Sequence, residues 1–419
     1  MNSSSHATPH TLSPTVVQPA ALTWRDGVWL AVVVAIGINL RPLLTSISPL
    51  LESIRHTTGL SFYGASLLTS LPVIAMGIGA FGASTLARLL GETRGVALGL
   101  IAIAFACAAR WITSSGFALM FSAVIAGIGV AAIQALLPGV MKRHFGVRVT
   151  LAMGVFSASI MGGGGLGASL SPWVAHLAGT WHAGLAFWAL PALLGMALWL
   201  VLNRALPLPV PSNHTQSAQS TAQLPSMWRN RRAWALGLYF GVVNGGYTSL
   251  VAWLPAYYQQ HGMSVTASGS LLAMMTLFQA AAALLLPLAA QSSHDRRPWL
   301  LVGLLAQLAG IAGLLAWPLA APLPWVALAG IGLGGSFSLT LVTALDHTEN
   351  HAVAARLVAF MQGVGFLIAA IAPIVAGMVR DATGSFSAAW VMLVIGVLAM
   401  IALTFVFSPR SYARVWSGS

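Results

Sequence analysis

One arginine stands inside the first long apolar segment of this chain. Arg41 lies in a stretch that runs from about Gly27 to Leu51. At 1.5 Å per helical residue it is roughly 20 Å from the start of that stretch, past the middle of a hydrocarbon core about 30 Å thick. An arginine keeps its proton there, so its side chain must face protein, water or an anion. Isolated membrane charges usually mark substrate or ion paths, which favours a functional role over the alternative, a structural arginine bonded to backbone carbonyls.

The residue after this arginine predicts a local change in the helix. Pro42 removes a backbone donor, so we expect the first helix to bend or loosen at the charge. The planar donors of a guanidinium match a carboxylate-like or linear anion. Because no Asp or Glu lies in the middle of an apolar segment, the surroundings of Arg41 should be electropositive and suit a small anion.

Polar side chains in other apolar segments are candidates for the rest of the site. With Arg41, the predicted substrate-binding residues are Asn39, Thr45, Gln134, Asn244, Tyr247, Gln279 and Gln362. For Gln134, Asn244 and Tyr247, a hydrogen bond between helices is an equally good interpretation. Trp253 and other tryptophans near segment ends are expected to be membrane-interface anchors. The glycine-rich run 162–167 is interpreted as a close-packing surface, since it lacks the Lys and Ser or Thr of a phosphate-binding loop.

The sequence lacks the residue sets of several other chemistries. It contains no ATPase motif, serine hydrolase constellation or zinc-ligand spacing, and Cys107 is its only cysteine. All seven acidic residues fall at segment ends or in loops, so the carboxylate proton relay common in proton-driven transporters is not expected. We therefore expect no enzymatic activity, no cofactor and no bound metal.

The composition identifies the class of protein. Hydrophobic residues make up 58% of the chain and charged residues 6%, and the mean hydropathy is +0.84. Soluble chains carry about a quarter charged residues, so this is a polytopic helical membrane protein whose first partner is the lipid bilayer. The net charge of +12 at pH 7 does not indicate nucleic-acid binding, because the basic residues are scattered in short clusters between apolar segments.

Apolar segments of spanning length recur along the whole chain. We predict twelve transmembrane helices, near 27–51, 61–87, 95–112, 117–140, 149–176, 183–203, 233–258, 264–290, 298–316, 321–345, 353–379 and 384–407. A polar stretch divides them six and six. The predicted organisation is a disordered cytoplasmic tail, a first bundle, a cytoplasmic linker, a second bundle and a second tail, at 1–24, 25–203, 204–232, 233–408 and 409–419.

The loop charges predict the orientation of these helices. Of the 19 Lys and Arg residues, Arg41 is intramembrane, and Arg55, Arg110 and Arg380 fall in loops on one side. The remaining fifteen fall on the other: Arg25, Arg88, Arg94, Lys142, Arg143, Arg148, Arg204, Arg229, Arg231, Arg232, Arg296, Arg297, Arg356, Arg410 and Arg414. Since cytoplasmic loops carry the excess of basic residues, both termini are expected to be cytoplasmic.

The two halves repeat weakly at a nearly constant offset. The matching pairs are 127–129 with 330–332, 66–68 with 270–272, and Pro172 with Pro373. With six spans in each copy, both copies have the same orientation in the membrane. Parallel repeats of this kind place a central binding site near the midplane, between the halves.

Several segments closely resemble the cyanate transporter branch of the major facilitator superfamily. They are Ile38–Ser46, Gln134–Arg143, Met161–Gly167, Asn244–Tyr247, Gly269–Leu277, Ala344–His347 and Ala359–Gly363, within a resemblance that covers about 25–410. The resemblance implies the major facilitator fold of two parallel six-helix halves, with the first, fourth, seventh and tenth spans lining the cavity. It also implies a bacterial inner-membrane location and transport of cyanate or a similar small anion. Related members are associated with 2-nitroimidazole export, so substrate and direction stay open.

The superfamily's loop signature between the second and third spans is degenerate here. In its place stands Arg88-Leu89-Leu90-Gly91-Glu92-Thr93-Arg94. The predicted gating residues of the cytoplasmic loops are Glu92, Arg94, Lys142, Arg143, Asp295 and Arg296. A simple role in setting topology explains these charges equally well.

The leading interpretation is a monomeric secondary transporter that moves cyanate or a similar small anion by alternating access. One alternative is an exporter of a neutral or zwitterionic drug-like compound of the nitroimidazole type. The other is a non-transporting membrane receptor on a transporter fold, against which the lack of an appended soluble domain argues.

Overall fold

The computed structural model describes residues 23–145, 148–206, 226–348 and 351–412. Within these ranges the regular structure is entirely helical. The predicted tails and the predicted linker lie for the most part outside the described residues, at 1–22, 207–225 and 413–419.

The first half contains six membrane-crossing segments. The first is broken into α1 (Trp24–Gly37), α2 (Pro42–Thr45) and α3 (Leu51–Thr58), with a 3-10 turn at Ser48–Leu50. The next four are α4 (Phe62–Leu90), α5 (Glu92–Ala109), α6 (Gly116–Phe145) and α7 (Val149–Ala178). The sixth consists of α8 (Trp181–Ala186) and α9 (Ala189–Ala205).

The second half repeats this count. Its first four segments are α10 (Arg231–Gln260), α11 (Val265–Ala290), α12 (Arg297–Ala316) and α13 (Pro322–Leu345). The eleventh segment of the chain consists of α14 (His351–Ala369) and α15 (Ile371–Thr383), and the twelfth is α16 (Ser387–Thr404).

Helix length and apolarity agree with the predicted spans. Among the described residues, eleven segments are long and apolar enough to cross a membrane. The remaining predicted span is α10, whose 30 residues are about 45 Å long but more polar. The predicted all-α fold of twelve transmembrane helices in two sets of six is confirmed.

The two halves are separate bundles that meet along two seams. In one seam α7 packs against α11, and in the other α4 packs against α14 and α15. We call the end of the molecule at which α1 begins, α9 ends and α10 begins the linker side, and the opposite end the far side. The first broken segment and α10 lie between the seams, where residues of both halves meet.

Two side chains lie deeper than the sequence predicted. Arg110 lies in a turn just after α5, as expected for a loop residue, but it is only 1% exposed. Trp253 is also 1% exposed, so the expected position at the membrane interface is wrong. Arg110 donates from Nε to Oγ of Ser122 in α6, at 3.1 Å. Trp253 donates from Nε1 to the carbonyl oxygen of Pro373 in α15, at 3.1 Å. Hydropathy locates the end of an apolar segment, but it does not tell whether a side chain there turns toward lipid or toward a neighbouring helix.

Candidate functional site

The first transmembrane segment is interrupted at its arginine. Helix α1 ends at Gly37, and Arg41 directly precedes the new helix that starts at Pro42, with φ −113° and ψ −25°. Its carbonyl oxygen accepts from the backbone N–H of Leu44 at 2.9 Å and of Thr45 at 3.2 Å. The predicted loosening at the charge is therefore confirmed, and the proline supplies its cause.

The glycine-rich run of α7 makes room for this break. A Cβ on Gly163 would overlap the carbonyl group of Ile38, and one on Gly167 would lie 2.8 Å from Cα of Pro42. Backbones approach this closely only where no side chain intervenes. The predicted packing role of the run is confirmed, and the surface against which it packs is the broken segment that carries Arg41.

Arg41 faces the second half of the molecule. Its side chain is half-buried, and its guanidinium carbon lies 4.8 Å from the centroid of the Tyr247 ring in α10. Within the described residues no carboxylate pairs with this guanidinium, and no hydrogen-bond acceptor is found for it. A guanidinium that lies over an aromatic face keeps its in-plane N–H donors free to meet other groups.

Threonines from both halves border the arginine. Thr45, a predicted site residue, donates its hydroxyl to the carbonyl oxygen of Arg41 at 3.3 Å. A Cβ built on Gly164 would lie 3.4 Å from Cβ of Arg41 and 3.8 Å from Cγ2 of Thr276 in α11. Sequence reasoning missed Thr276, although its position one helical turn before Gln279 was a usable signal.

Two of the predicted amides bond to helix backbone. Asn39 donates to the carbonyl oxygens of Ala35, at 2.7 Å, and of Pro191 in α9, at 3.1 Å. Asn244 donates to the carbonyl oxygen of Phe240 in its own helix at 2.8 Å. The first amide ties the broken segment to the sixth span. The carbonyl oxygen of each amide is not used in these bonds, so a role in substrate binding stays a prediction for both.

The three glutamines also remain predictions. Gln279 is buried, and Gln134 and Gln362 are half-buried. Among the described residues none of them forms a hydrogen bond with Arg41. The spans that meet at Arg41 are therefore the first, fifth, seventh and eighth, while contributions from the fourth and tenth stay an expectation from the family resemblance.

Four of the six predicted gating residues form ion pairs on the linker side: Glu92, Arg143, Asp295 and Arg296. Glu92 pairs with Arg143, Asp295 with Arg297 at 2.6 Å, and Asp346 with Arg296 at 2.8 Å. Donation from the Arg297 side chain lowers the pKa of Asp295. Each of these pairs joins residues of the same half, and Arg94 and Lys142 have no ion-pair partner within the described residues.

A buried carboxylate joins three helices of the first half on the linker side. Asp26 at the start of α1 accepts from Nη1 of Arg148 at 2.7 Å, and Nε2 of His144 in α6 lies 3.3 Å from its other oxygen. The His144 ring stacks on Trp29 with centroids 4.6 Å apart. This cluster fixes the linker-side ends of the helices that hold Arg41 and the glycine run.

No group of side chains suited to a metal ion occurs in the described part of the chain. At Arg41 the groups that a ligand would meet are a positive charge, planar N–H donors and the aromatic face of Tyr247.

Known proteins with similar sequences are transporters. The profile of the Major Facilitator Superfamily matches residues 29–370. The chain is 44% identical to the cyanate transport protein CynX of Escherichia coli over 388 residues, which are 92% of this chain and 99% of that protein. It is 31% identical to the 2-nitroimidazole transporter of Escherichia coli, over 86% of this chain and 90% of that protein.

Solved structures share the fold at low sequence identity. A bacterial homologue of the human lysosomal transporter Spinster, in an inward-facing and occupied conformation, aligns with a TM-score of 0.77, 16% identity and coverage of 95% of this chain and 100% of that one. A D-xylose–proton symporter aligns with a TM-score of 0.73, 16% identity and coverage of 90% and 97%. The chain therefore belongs to the major facilitator superfamily of membrane transporters, in the branch that contains the cyanate transporter CynX and the 2-nitroimidazole transporter.

Proposed function

We propose that this transporter moves cyanate or a similarly small anion, which binds at Arg41. The observation that carries the proposal is the half-buried guanidinium of Arg41, which faces Tyr247 of the second half and has no carboxylate partner in the described residues. A charge in such a place is stable only if an anion or water satisfies it. The similarity to the cyanate transport protein CynX, at 44% identity, supports cyanate as the anion.

The geometry also supports a route for the anion. Arg41 belongs to the first half, whereas Tyr247 and Thr276 belong to the second. An anion bound between them would be enclosed while the halves meet on both sides and released when they separate on one side. The proposed mechanism is alternating access by rocking of two domains, 25–203 and 233–408.

The orientation follows from the loop charges. We place the linker side, and with it both termini, in the cytoplasm of a bacterium, because fifteen basic residues fall on that side. The ion pairs of Glu92, Asp295 and Asp346 would then lie at the cytoplasmic surface. Since these pairs join residues of one half, we propose that they keep each bundle rigid while it moves.

Equilibrium binding to the purified protein tests the proposed substrate class. Cyanate, other small linear anions, acetate and a neutral 2-nitroimidazole are titrated separately, with an Arg41→Gln variant of unchanged thermal stability as the control. We expect saturable binding of the small anions to the parent and much weaker binding to the variant. Tight binding of the nitroimidazole alone, equal in both proteins, would favour the exporter alternative.

A further inference from the structure

The start of α4 on the far side is bonded to the other half of the molecule. Within its own half, Oγ of Ser61 accepts from the backbone N–H of Gly64 at 3.0 Å, as expected for a helix N-cap. The two N–H groups before it, of Phe62 and Tyr63, donate to the carboxylate of Asp381 at 3.0 and 2.8 Å. Asp381 belongs to α15, so the second half completes the cap of a helix in the first half.

The side chain of Phe62 carries a second contact across this seam. The guanidinium carbon of Arg380 lies 4.8 Å from the ring centroid of Phe62, and that of Arg55, from the same half as Phe62, lies 3.6 Å from it. Phe62 also meets the ring of Phe386 edge-on, with centroids 5.8 Å apart. Arg380 and Asp381 therefore hold the backbone and the ring of one residue together.

Beside this seam, the contacts between the first broken segment and α10 are uncharged. Ser48 donates to the carbonyl oxygen of Ala252 at 2.8 Å, and Gln259 donates to that of Pro49 at 3.0 Å. In the described part of the chain, Asp381 is the only carboxylate bonded to the opposite half. The charge of this carboxylate also faces the positive end of the α4 helix dipole, which strengthens the contact.

We propose that Asp381 is the residue that holds the far-side gate closed, by capping α4 across the seam between the halves. It is a positioning residue of the transport cycle, and the proposal rests on the proposed rocking of the halves. When the halves separate on the far side, the hydrogen bonds from the two N–H groups to the carboxylate break. A contact that exists in only one of two states shifts the equilibrium toward that state, so loss of Asp381 favours the state that is open on the far side.

Accessibility of a single cysteine measures this equilibrium. The reporter is Ala252→Cys in a Cys107→Ser background, because Ala252 is buried where α10 meets the first half and its carbonyl oxygen accepts from Ser48. Sealed vesicles of both orientations are treated with a membrane-impermeant thiol reagent. A separate Ser217→Cys protein, with its cysteine in the linker, reacts only in preparations that expose the linker side, so a preparation in which it does not react exposes the far side. We expect Asp381→Ala to raise the labelling rate from the far side on the order of tenfold, and Asp381→Asn to raise it less.

Two control variants distinguish the loss of a contact between the halves from a general weakening of a helix end or of one half. Ser61→Ala removes a cap from the same helix end without touching the other half, and Asp346→Ala removes an ion pair within one half on the linker side. Neither should change far-side labelling. Parent-like labelling of Asp381→Ala, or an equal rise in Ser61→Ala, would overturn the gate while leaving rocking intact. A reporter cysteine that no variant exposes on either side would overturn the rocking mechanism itself.

Discussion

The guanidinium carbon of Arg41 lies 4.8 Å from the ring centroid of Tyr247, and the two residues belong to opposite halves of the chain. The ring can hold the cation through its face while the in-plane N–H donors remain available. An anion that enters the site would meet a guanidinium already restrained by the other half. Under the proposed function, the affinity for the anion would therefore depend on how closely the halves approach each other.

Replacement of Arg41 should distinguish the contribution of its charge to anion binding from that of its planar donors. Arg41→Lys keeps the charge but loses the planar donors, so we expect weaker and less discriminating anion binding. Arg41→Gln removes the charge, and a charged hydrogen bond in a partly dry cavity contributes on the order of 1.5–3 kcal/mol, or roughly tenfold to a hundredfold in affinity. Binding and thermal stability are measured on the same sample. A well-folded Arg41→Gln protein with parental affinity would refute the proposed role.

Replacement of Tyr247 should weaken binding through the ring rather than the hydroxyl. Tyr247→Phe keeps the aromatic face, and we expect close to parental affinity. Tyr247→Leu removes the cation–π contact, which contributes about 0.5–2 kcal/mol, so we expect roughly twofold to thirtyfold weaker anion binding. Isothermal titration of both variants checks the order. If the Phe variant loses as much affinity as the Leu variant, the hydroxyl group contacts the anion instead.

Transport should not depend on the carboxylates outside the seam. Since no Asp or Glu lies near the middle of a span, we expect facilitated diffusion, anion exchange, or proton symport in which the substrate or a histidine carries the proton. Glu52→Gln and Asp346→Asn should then leave accumulation of labelled anion in vesicles largely intact. Loss of accumulation with exchange preserved would reveal a carboxylate relay at the substituted position.

The linker between the halves should be inaccessible from outside the cell. A Ser217→Cys variant in the Cys107→Ser background is treated with an impermeant thiol reagent, first in intact cells and then after permeabilisation. We expect labelling only after permeabilisation, because basic loops are retained in the cytoplasm. Labelling of intact cells would contradict the proposed orientation of every span.

Acid should destabilise the linker side of the second half through His347. This side chain is buried, stacks on Tyr412 with centroids 3.9 Å apart, and its Nδ1 lies 2.6 Å from the carbonyl oxygen of Thr343. Burial lowers the pKa of His347 to about 4. The unfolded chain, with a histidine pKa near 6.5, therefore binds a proton that the folded protein does not, and stability falls between about pH 6.5 and pH 4.

The size of this effect is bounded by the pKa difference and amounts to at most about 3 kcal/mol. Thermal unfolding of the purified protein between pH 7 and pH 4.5 measures it. His347→Gln should flatten the pH dependence, whereas His56→Gln, at an exposed position, should leave it unchanged. Parallel slopes for the parent and His347→Gln would contradict the assignment.

The sequence predicted the break at Arg41 because its cause is local. Pro42 removes one donor from the helix, and no distant contact is needed for that effect. Eleven of the twelve spans, all except the more polar α10, also stand out by hydropathy, since the length of an apolar helix in a bilayer is set by the bilayer thickness. The contact of Arg41 with Tyr247 was not predictable, because these residues are about 200 positions apart in the chain and meet only through the relative placement of the two bundles.

The burial of individual polar side chains was also beyond the sequence. Asn39 bonds to Pro191 and Trp253 to Pro373, and in each case the acceptor is a carbonyl group next to a helix irregularity in another span. The sequence places Asp381 at the end of a span, but it does not predict that the carboxylate accepts hydrogen bonds from the start of α4. Such contacts follow from packing between helices, which hydropathy does not encode.

The polarity of α10 has a consequence for how the protein is made. Helix α10 is the one predicted span that is not among the eleven segments apolar enough to cross a membrane in the described part of the chain. Its polarity comes in part from buried residues that face the interior: Asn244, Tyr247 and Thr248. It packs against α14, four spans later in the chain, where Ala369 accepts a hydrogen bond from Thr248 at 2.8 Å. At ribosomal rates that partner follows on the order of ten seconds later. During that interval α10 lacks its native neighbour. Because α10 is too polar to be stable in lipid alone, we expect it to stay in contact with the insertion machinery until α14 is made.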